Sequence, residues 1–482
     1  MAISSFVDGV KKALGQGPET VAPAAATPPP SASDFVDTAP SWAELQKMLE
    51  DKQQQLGWRP ENPETGPANS GSLKRTFGSD APPRVKLYRD SAAWCPYCQK
   101  VWLQLEEKQI PYTIEKINMR CYGDKPQEYT AKVPSGLLPA MELDGELIIE
   151  SADVMAALEY AFPDKPLMPA KGTPAHARAT ALMKLERRLF GAWLQWLCYP
   201  RNNENNKKGF LSTMGAVEKE LGADPSGPFF MGAKVTLVDC VFAPFLERIV
   251  ASIAYYKGMY VRGEGRFPNL EAWFEGMEKR SSYLGSRSDF YTHCHDLPPQ
   301  LGGCCQIPEG EPVSAAVDGE DGRSWHLPLP PLHATSLPEP YSPGEQPERD
   351  RLQAAAKLIG NHEAVTRFAA RGCGEMGTRA FTAELSDPYA KPGMQHLGSV
   401  DAGLRLVAHA LLAGAGGLPS VDGQVHLQTA ADSSGHHSSA DGPATLLAAA
   451  YMRDRVGVPR DLPLPAARQF RAHLNWLIDS LS

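Results

Sequence analysis

The stretch Trp94-Cys95-Pro96-Tyr97-Cys98 constrains this chain more than any other, because it sets two thiols one helical turn apart at a strand-to-helix junction. Upstream, Val85-Lys86-Leu87-Tyr88 alternates in polarity and predicts a strand. Downstream, Val101, Trp102, Leu105 and Ile110 recur with near-helical spacing and predict a helix from Pro96 onward. Proline is tolerated there, since the first turn has no use for its missing N–H. Cys95 then falls at the helix N-terminus, where unpaired N–H groups and the helix dipole favour a thiolate. Cys98 is close enough to close a disulfide with it. A CxxC alone is at most half of a four-ligand zinc site, and the chain has no second one. Cys304-Cys305 are adjacent, and His293-Cys294-His295 lies far off in sequence. No metal is expected, and Cys95 and Cys98 are the catalytic candidates for redox chemistry.

At 482 residues the chain has room for two or three domains. A net charge of −8 without a long basic run argues against nucleic acid as a partner. No apolar stretch approaches the length of a membrane span. Nine cysteines at irregular spacing do not make a secreted disulfide framework and fit an intracellular, reducing compartment. Residues 1–16 carry a short amphipathic pattern (Ile3, Phe6, Val7, Val10, Leu14), and an Ala/Ser/Pro-rich spacer follows to about residue 40. A docking helix on a tail and a plastid-directed leader both fit it, leaving cytoplasm or chloroplast stroma. Trp42, Leu45, Met48 and Leu49 give one more helix before a polar loop. Residues 1–83 are therefore expected to be a flexible N-terminal region with short helices.

Residues 84–168 form a compact unit. Tyr112–Ile117 alternates as a second strand; Leu138–Leu143, the turn Asp144-Gly145 and Leu147–Ile149 read as a hairpin; a helix opens at Glu150-Ser151. The order βαβ…ββα, with CxxC after the first strand, is that of a thioredoxin-like domain. Residues 173–295 read as all-helical: Leu182, Leu185, Leu189, Trp193 and Trp196 make an apolar face, expected mostly as core, with Phe190 a candidate for a substrate pocket. Thr236-Leu237-Val238-Asp239 reads as a capping box. The Pro-, Gly- and acid-rich segment 296–345 reads as a linker. Residues 346–482 read as a small helical extension, with an exposed insertion at 414–442 that carries His436-His437.

Residues 84–290 resemble a glutathione transferase of the cysteine type, akin to the omega class and to glutaredoxins. Trp94-Cys95-Pro96-Tyr97-Cys98 resembles the glutaredoxin active site, Leu137-Leu138-Pro139 the family's cis-proline segment, and Glu150-Ser151 its Glu-Ser pair. The resemblance implies an α/β thioredoxin-like domain followed by an all-α glutathione-transferase C-terminal domain, with 346–482 as an additional small all-α domain. It also implies glutathione as co-substrate. Leu138, beside Pro139, would pair its backbone with the cysteinyl unit; Glu150 and Ser151 would grip the γ-glutamyl end; Lys125 would face the glycyl end. The layout with its extension is similar to family proteins of plants and green algae. A cysteine at position 95, where conjugating members carry Tyr or Ser, favours thiol transfer over conjugation.

The expected activity is glutathione-dependent thiol transfer by a cysteine nucleophile on small disulfides, glutathionylated proteins or dehydroascorbate. Two rivals are an isomerase acting on an apolar substrate and a redox-sensing scaffold whose extension, 346–482, binds a protein partner. A homodimer fits the resemblance. Because every candidate site residue lies downstream, removal of residues 1–80 is expected to leave thiol transfer intact.

Overall fold

The computed structural model describes residues 39–377, 383, 385–414 and 442–481. The pattern at 1–16, the spacer through residue 38 and all but the end residues of the 414–442 insertion lie outside the described residues.

Helix α1 (Trp42–Leu56) precedes a five-stranded sheet of order β1-β3-β2-β4-β5. The strands are β1 (Lys74–Arg75), β2 (Val85–Asp90), β3 (Tyr112–Ile117), β4 (Ala140–Leu143) and β5 (Glu146–Ile149). β2 runs parallel to β3, in register from Val85↔Tyr112 to Asp90↔Ile117, and antiparallel to β4. Asp144 and Gly145 both take positive φ, 53° and 89°, which a tight two-residue hairpin between β4 and β5 requires. Helices α2 (Pro96–Lys108), α3 (Gln127–Lys132) and α4 (Ser151–Ala161) complete the thioredoxin-like unit.

The second unit comprises α5 (Pro174–Cys198), α6 (Asn203–Leu221), α7 (Leu237–Lys257), α8 (Pro268–Met277), α9 (Ser281–Leu284) and α10 (Phe290–Leu301). Every residue of α7 is buried, so this helix is the axle of the unit, and α2 packs directly on it. Leu182, Leu185, Leu189, Trp193 and Trp196 are all core, as their spacing implies. At the start of α7, Asp239 accepts from Thr236 N (2.8 Å), Phe230 N (3.2 Å) and Trp273 Nε1 (2.9 Å). One continuous apolar core joins the sheet unit to the helices.

The segment 296–345 is not a tether. After α10 come α11 (Glu311–Val317), packed on α7, and Trp325; Val313, Val317 and Trp325 are buried in that same core. Proline and glycine set the backbone of this stretch, while a few large apolar anchors decide where it lies.

The third unit holds α12 (Pro347–Gly360), α13 (His362–Ala369), α14 (Leu397–Ala413), α15 (Gly442–Arg455) and α16 (Leu464–Leu481) around a separate core. Helix α1 belongs to it, which corrects the expectation of a flexible N-terminal region for residues 39–83. Leu45 and Leu49 are buried in that core, Trp42 Nε1 donates to Asp401 Oδ1 (2.8 Å), and the indole stacks on His362 with centroids 4.5 Å apart. Ser41 and Glu44 form a full capping box at the start of α1. Farther on, Arg75 of β1 makes a buried bidentate pair with Glu106, both contacts 2.9 Å, and Ser70 donates to the Pro459 carbonyl. Polar composition at 57–83 therefore reflects a strap held by hydrogen bonds, not a free loop.

Candidate active site

Cys95 is the N-cap of α2 and Pro96 its first residue, so the helix begins at the thiol itself. Cys95 is half-buried, whereas Cys98 is 1% exposed. Burial, hydrogen bonding to Cys95 and the nearby Asp90 push the Cys98 thiol well above its ordinary range. Cys98 is thus the more deeply buried residue of the pair.

Asp90, the last residue of β2, lies beneath the motif. Its Oδ2 accepts from Trp94 N (2.6 Å), and its carboxylate lies with the Cys95 and Cys98 sulfurs inside a 4.8 Å group. That group is the only one among the described residues with three close metal-ligating side chains, and zinc would need a fourth. His293 and His295 take other partners: His293 meets Trp94, and His295 Nε2 lies 2.9 Å from Asp318 Oδ1.

The second unit clamps the motif from above. Arg248 of α7 donates to the carbonyl of Trp94, lies 4.5 Å from the centroid of its ring, and reaches Gln99 Oε1 at 3.2 Å. Burial lowers the Arg248 guanidinium to about 10, partly offset by Glu247, Cys95 and Asp90. Trp94 Nε1 donates to His293 Nδ1 (3.1 Å), whose Nε2 faces Glu247 Oε2 at 3.3 Å. Burial holds His293 down at about 4, so the imidazole is neutral, with its proton on Nε2. Sequence reasoning missed Asp90, Glu247 and Arg248, and found His293 only as a remote metal candidate.

The other candidates flank Cys95. Leu138–Pro139 is a cis peptide immediately before β4, and Leu138 is half-buried. Glu150 is exposed at the N-cap of α4, with a positive φ of 66°, and Ser151 is the buried first residue of that helix. Lys125 runs beside Gly136, on the loop that leads into Leu138–Pro139; its Nζ donates to Asn118 O (2.6 Å), and burial lowers its pKa. Lys100, on the second turn of α2, was not foreseen. It is 8% exposed and lowered to about 8 by burial and Arg187, with Glu186, Cys95 and Glu150 acting in the opposite direction. Tyr97, Phe190 and Phe245 stack edge-to-face beside the motif, giving it an aromatic wall. Cys121 is buried, accepts from Gln300 Nε2 (2.9 Å) and is pushed up to about 12, which suits an inert thiol. A separate cavity of about 200 Å³, lined among others by Asn118, Asp296, Arg371 and Arg455, contains none of these site residues.

A cysteine at a helix start, a cis-proline loop beside it and a Ser-led helix N-terminus together suit a thiol peptide whose carboxylate needs N–H donors. Residues 94–161 match the description "Glutathione S-transferase, N-terminal domain", and residues 200–276 match "Glutathione S-transferase, C-terminal domain". The Arabidopsis thaliana protein glutathione S-transferase DHAR2 is 33% identical over 167 residues, covering 35% of this chain and 72% of that protein. Glutathione S-transferase omega-1 of Sus scrofa is 28% identical over 193 residues, covering 38% and 77%. Among solved structures, glutathione transferase Omega 3C from Trametes versicolor superposes with a TM-score of 0.38 at 24% identity, over 52% of this chain and 97% of that one.

Proposed function

The chain belongs to the glutathione S-transferase family, and from that premise we propose that it is a glutathione-dependent thiol transferase in which Cys95 alone is the nucleophile. The position of a half-buried Cys95 at the helix start, with Cys98 buried behind it, carries this reading. The Cys95 thiolate attacks the sulfur of a small or protein-borne glutathione disulfide. The substrate leaves as a thiol and takes up a proton, while glutathione stays on Cys95 as a mixed disulfide. A second glutathione attacks that bond, releasing oxidised glutathione and regenerating Cys95. Leu138, beside Pro139, together with Glu150 and Ser151, holds the tripeptide. Lys125 and Lys100 supply positive charge to its carboxylates. Arg248 and Asp90 fix the Trp94 backbone from both sides, so that the helix start stays aimed at the incoming sulfur.

Dehydroascorbate is a second substrate of the same site: the reduced Cys95 thiolate adds to one of its carbonyls. A glutathione thiolate then attacks the Cys95 sulfur and expels ascorbate, which takes up a proton, and a second glutathione frees Cys95, releasing oxidised glutathione. The exposed Leu147, Ile149 and Tyr160 on β5 and α4 provide a face for pairing two copies, which sedimentation would detect. Nine cysteines at irregular spacing suit a reducing compartment, cytoplasm or chloroplast stroma. Among the described residues, no helix is long and apolar enough to cross a membrane.

The test is glutathione-dependent reduction of a small mixed disulfide by the wild type, Cys95→Ser and Cys98→Ser. The expected result is a loss of about 100-fold or more with Cys95→Ser and most activity kept with Cys98→Ser. Equal losses in the two variants would make the centre a dithiol and overturn the reading.

A further inference from the structure

Three cysteines gather on the second unit, away from the CPYC centre. Cys198 is the last residue of α5; Cys304 and Cys305 follow α10, where the chain turns toward α11. The two segments are bound backbone to backbone: Cys305 N donates to Leu197 O (2.8 Å), and Cys305 Sγ donates to Cys198 O (3.1 Å). The Cys305–Leu197 bond sets Cys304 beside Cys198, one position away on each segment, and each of these two thiols shifts the pKa of the other. All three cysteines are only partly buried, unlike Cys240 and Cys294, which have no exposure. The Lys257 ammonium closes the site from the end of α7 by donating to Cys305 O (2.6 Å).

We propose that Cys198 and Cys304 are a second redox-active dithiol, which low-molecular-weight disulfides such as that of glutathione convert to an intramolecular disulfide. Cys198 is the attacking sulfur. Cys304 and Lys257 lower the Cys198 pKa, while Cys198 and burial raise that of Cys304. In the first step the Cys198 thiolate displaces one thiolate from the disulfide and keeps the other half as a mixed disulfide. Cys304 then releases its proton to solvent and attacks the Cys198 sulfur, expelling the second half as a thiolate. Two protein thiols are oxidised and one disulfide is reduced to two thiols, so electrons balance. The new bond staples the end of α5 to the turn that leads into α11. A metal reading is weaker, because these cysteines do not form a close three-donor group, whereas Asp90, Cys95 and Cys98 do.

The experiment uses the full chain, both as wild type and as a Cys95→Ser/Cys98→Ser variant, so that a failure of the proposed catalytic centre cannot mask the result. Each is equilibrated with excess oxidised glutathione, quenched in acid, alkylated and mapped as non-reduced peptides. The expected product is a 198–304 link in most chains of both proteins, reversed by excess reduced glutathione. Cys304→Ser should instead accumulate one glutathionyl group on Cys198. In reduced protein, Cys198 should alkylate about ten times faster than the fully buried Cys294. Free Cys198 and Cys304 at every glutathione ratio, a glutathionyl adduct that never resolves in wild type, or a link through Cys305 would each overturn the proposal.

Discussion

Trp94 Nε1 donates to His293 Nδ1 across 3.1 Å, so the indole next to Cys95 is held by a helix almost two hundred positions downstream. The bond requires Nδ1 to be unprotonated. Burial keeps it so by lowering His293 to about 4. The unfolded chain, with its ordinary histidine near 6.5, binds a proton over the interval in which the folded protein does not. His293 stability is therefore complete above about pH 6.5 and is lost as pH falls toward 4, by about 2 kcal/mol at pH 5. Urea denaturation at pH 7 and pH 5 should show this slope, and His293→Gln should flatten it.

Arg248→Met removes the donors to Trp94 O and Gln99 Oε1 without opening a large void. Loss of charge-assisted hydrogen bonds from a buried site should cost about 2–3 kcal/mol of stability. If the guanidinium aims the helix start, kcat should fall about tenfold while the KM for glutathione changes little. Steady-state kinetics beside thermal melts separates the two effects.

Lys100 loses its charge as pH rises through about 8, because burial has lowered it from 10.5. Affinity for S-methylglutathione, which has no titrating thiol, should weaken several-fold between pH 7 and pH 9 as this cation disappears. Lys100→Arg should abolish the dependence in calorimetric titrations.

Glu106 neutralises Arg75 and also accepts from the Tyr112 hydroxyl (2.7 Å), which in turn accepts from Trp102 Nε1 (2.7 Å). Glu106→Gln leaves Arg75 buried without a counter-charge and should destabilise by about 3–5 kcal/mol. The double change with Arg75→Met should recover much of that in chemical denaturation.

Deleting residues 1–80 removes Leu45 and Leu49 from the third core and Arg75 from the sheet edge. The truncated protein should melt well below the full chain and expose apolar surface to dye binding, contrary to the tolerance expected from site position alone. Deleting residues 1–38 removes none of these contacts and is the matched control for the longer truncation.

The local signals were legible. Strand alternation at Tyr112–Ile117, the positive-φ turn at Asp144-Gly145, the capping box at Thr236 and the cysteine pair itself each depend on residues a few positions apart. Arg248 and Glu247 gave no signal, because in sequence they are two charged residues in an apolar helix. Their partners are a backbone carbonyl and side chains brought near by tertiary packing alone. Strand β1 is too short for any periodicity. At 296–345 the Pro/Gly composition dominated the reading, although Val313, Val317 and Trp325 were the residues that set its course. For α1, the spacing of Trp42, Leu45, Met48 and Leu49 marked a helix, but nothing in the sequence said which core the helix would enter.

Trp42 and Asp401 meet across 359 positions of chain. On a ribosome, α1 emerges long before any of the surfaces it will cover, and it must wait, with Leu45 and Leu49 exposed, while both transferase units are made and fold. Closure of the third core is then a late, long-loop event whose speed is limited by bringing distant segments together. The sheet unit and the helices on it can assemble before that happens, so an incompletely synthesised chain would already hold Cys95 at its helix start on a molecule whose third core has not yet closed.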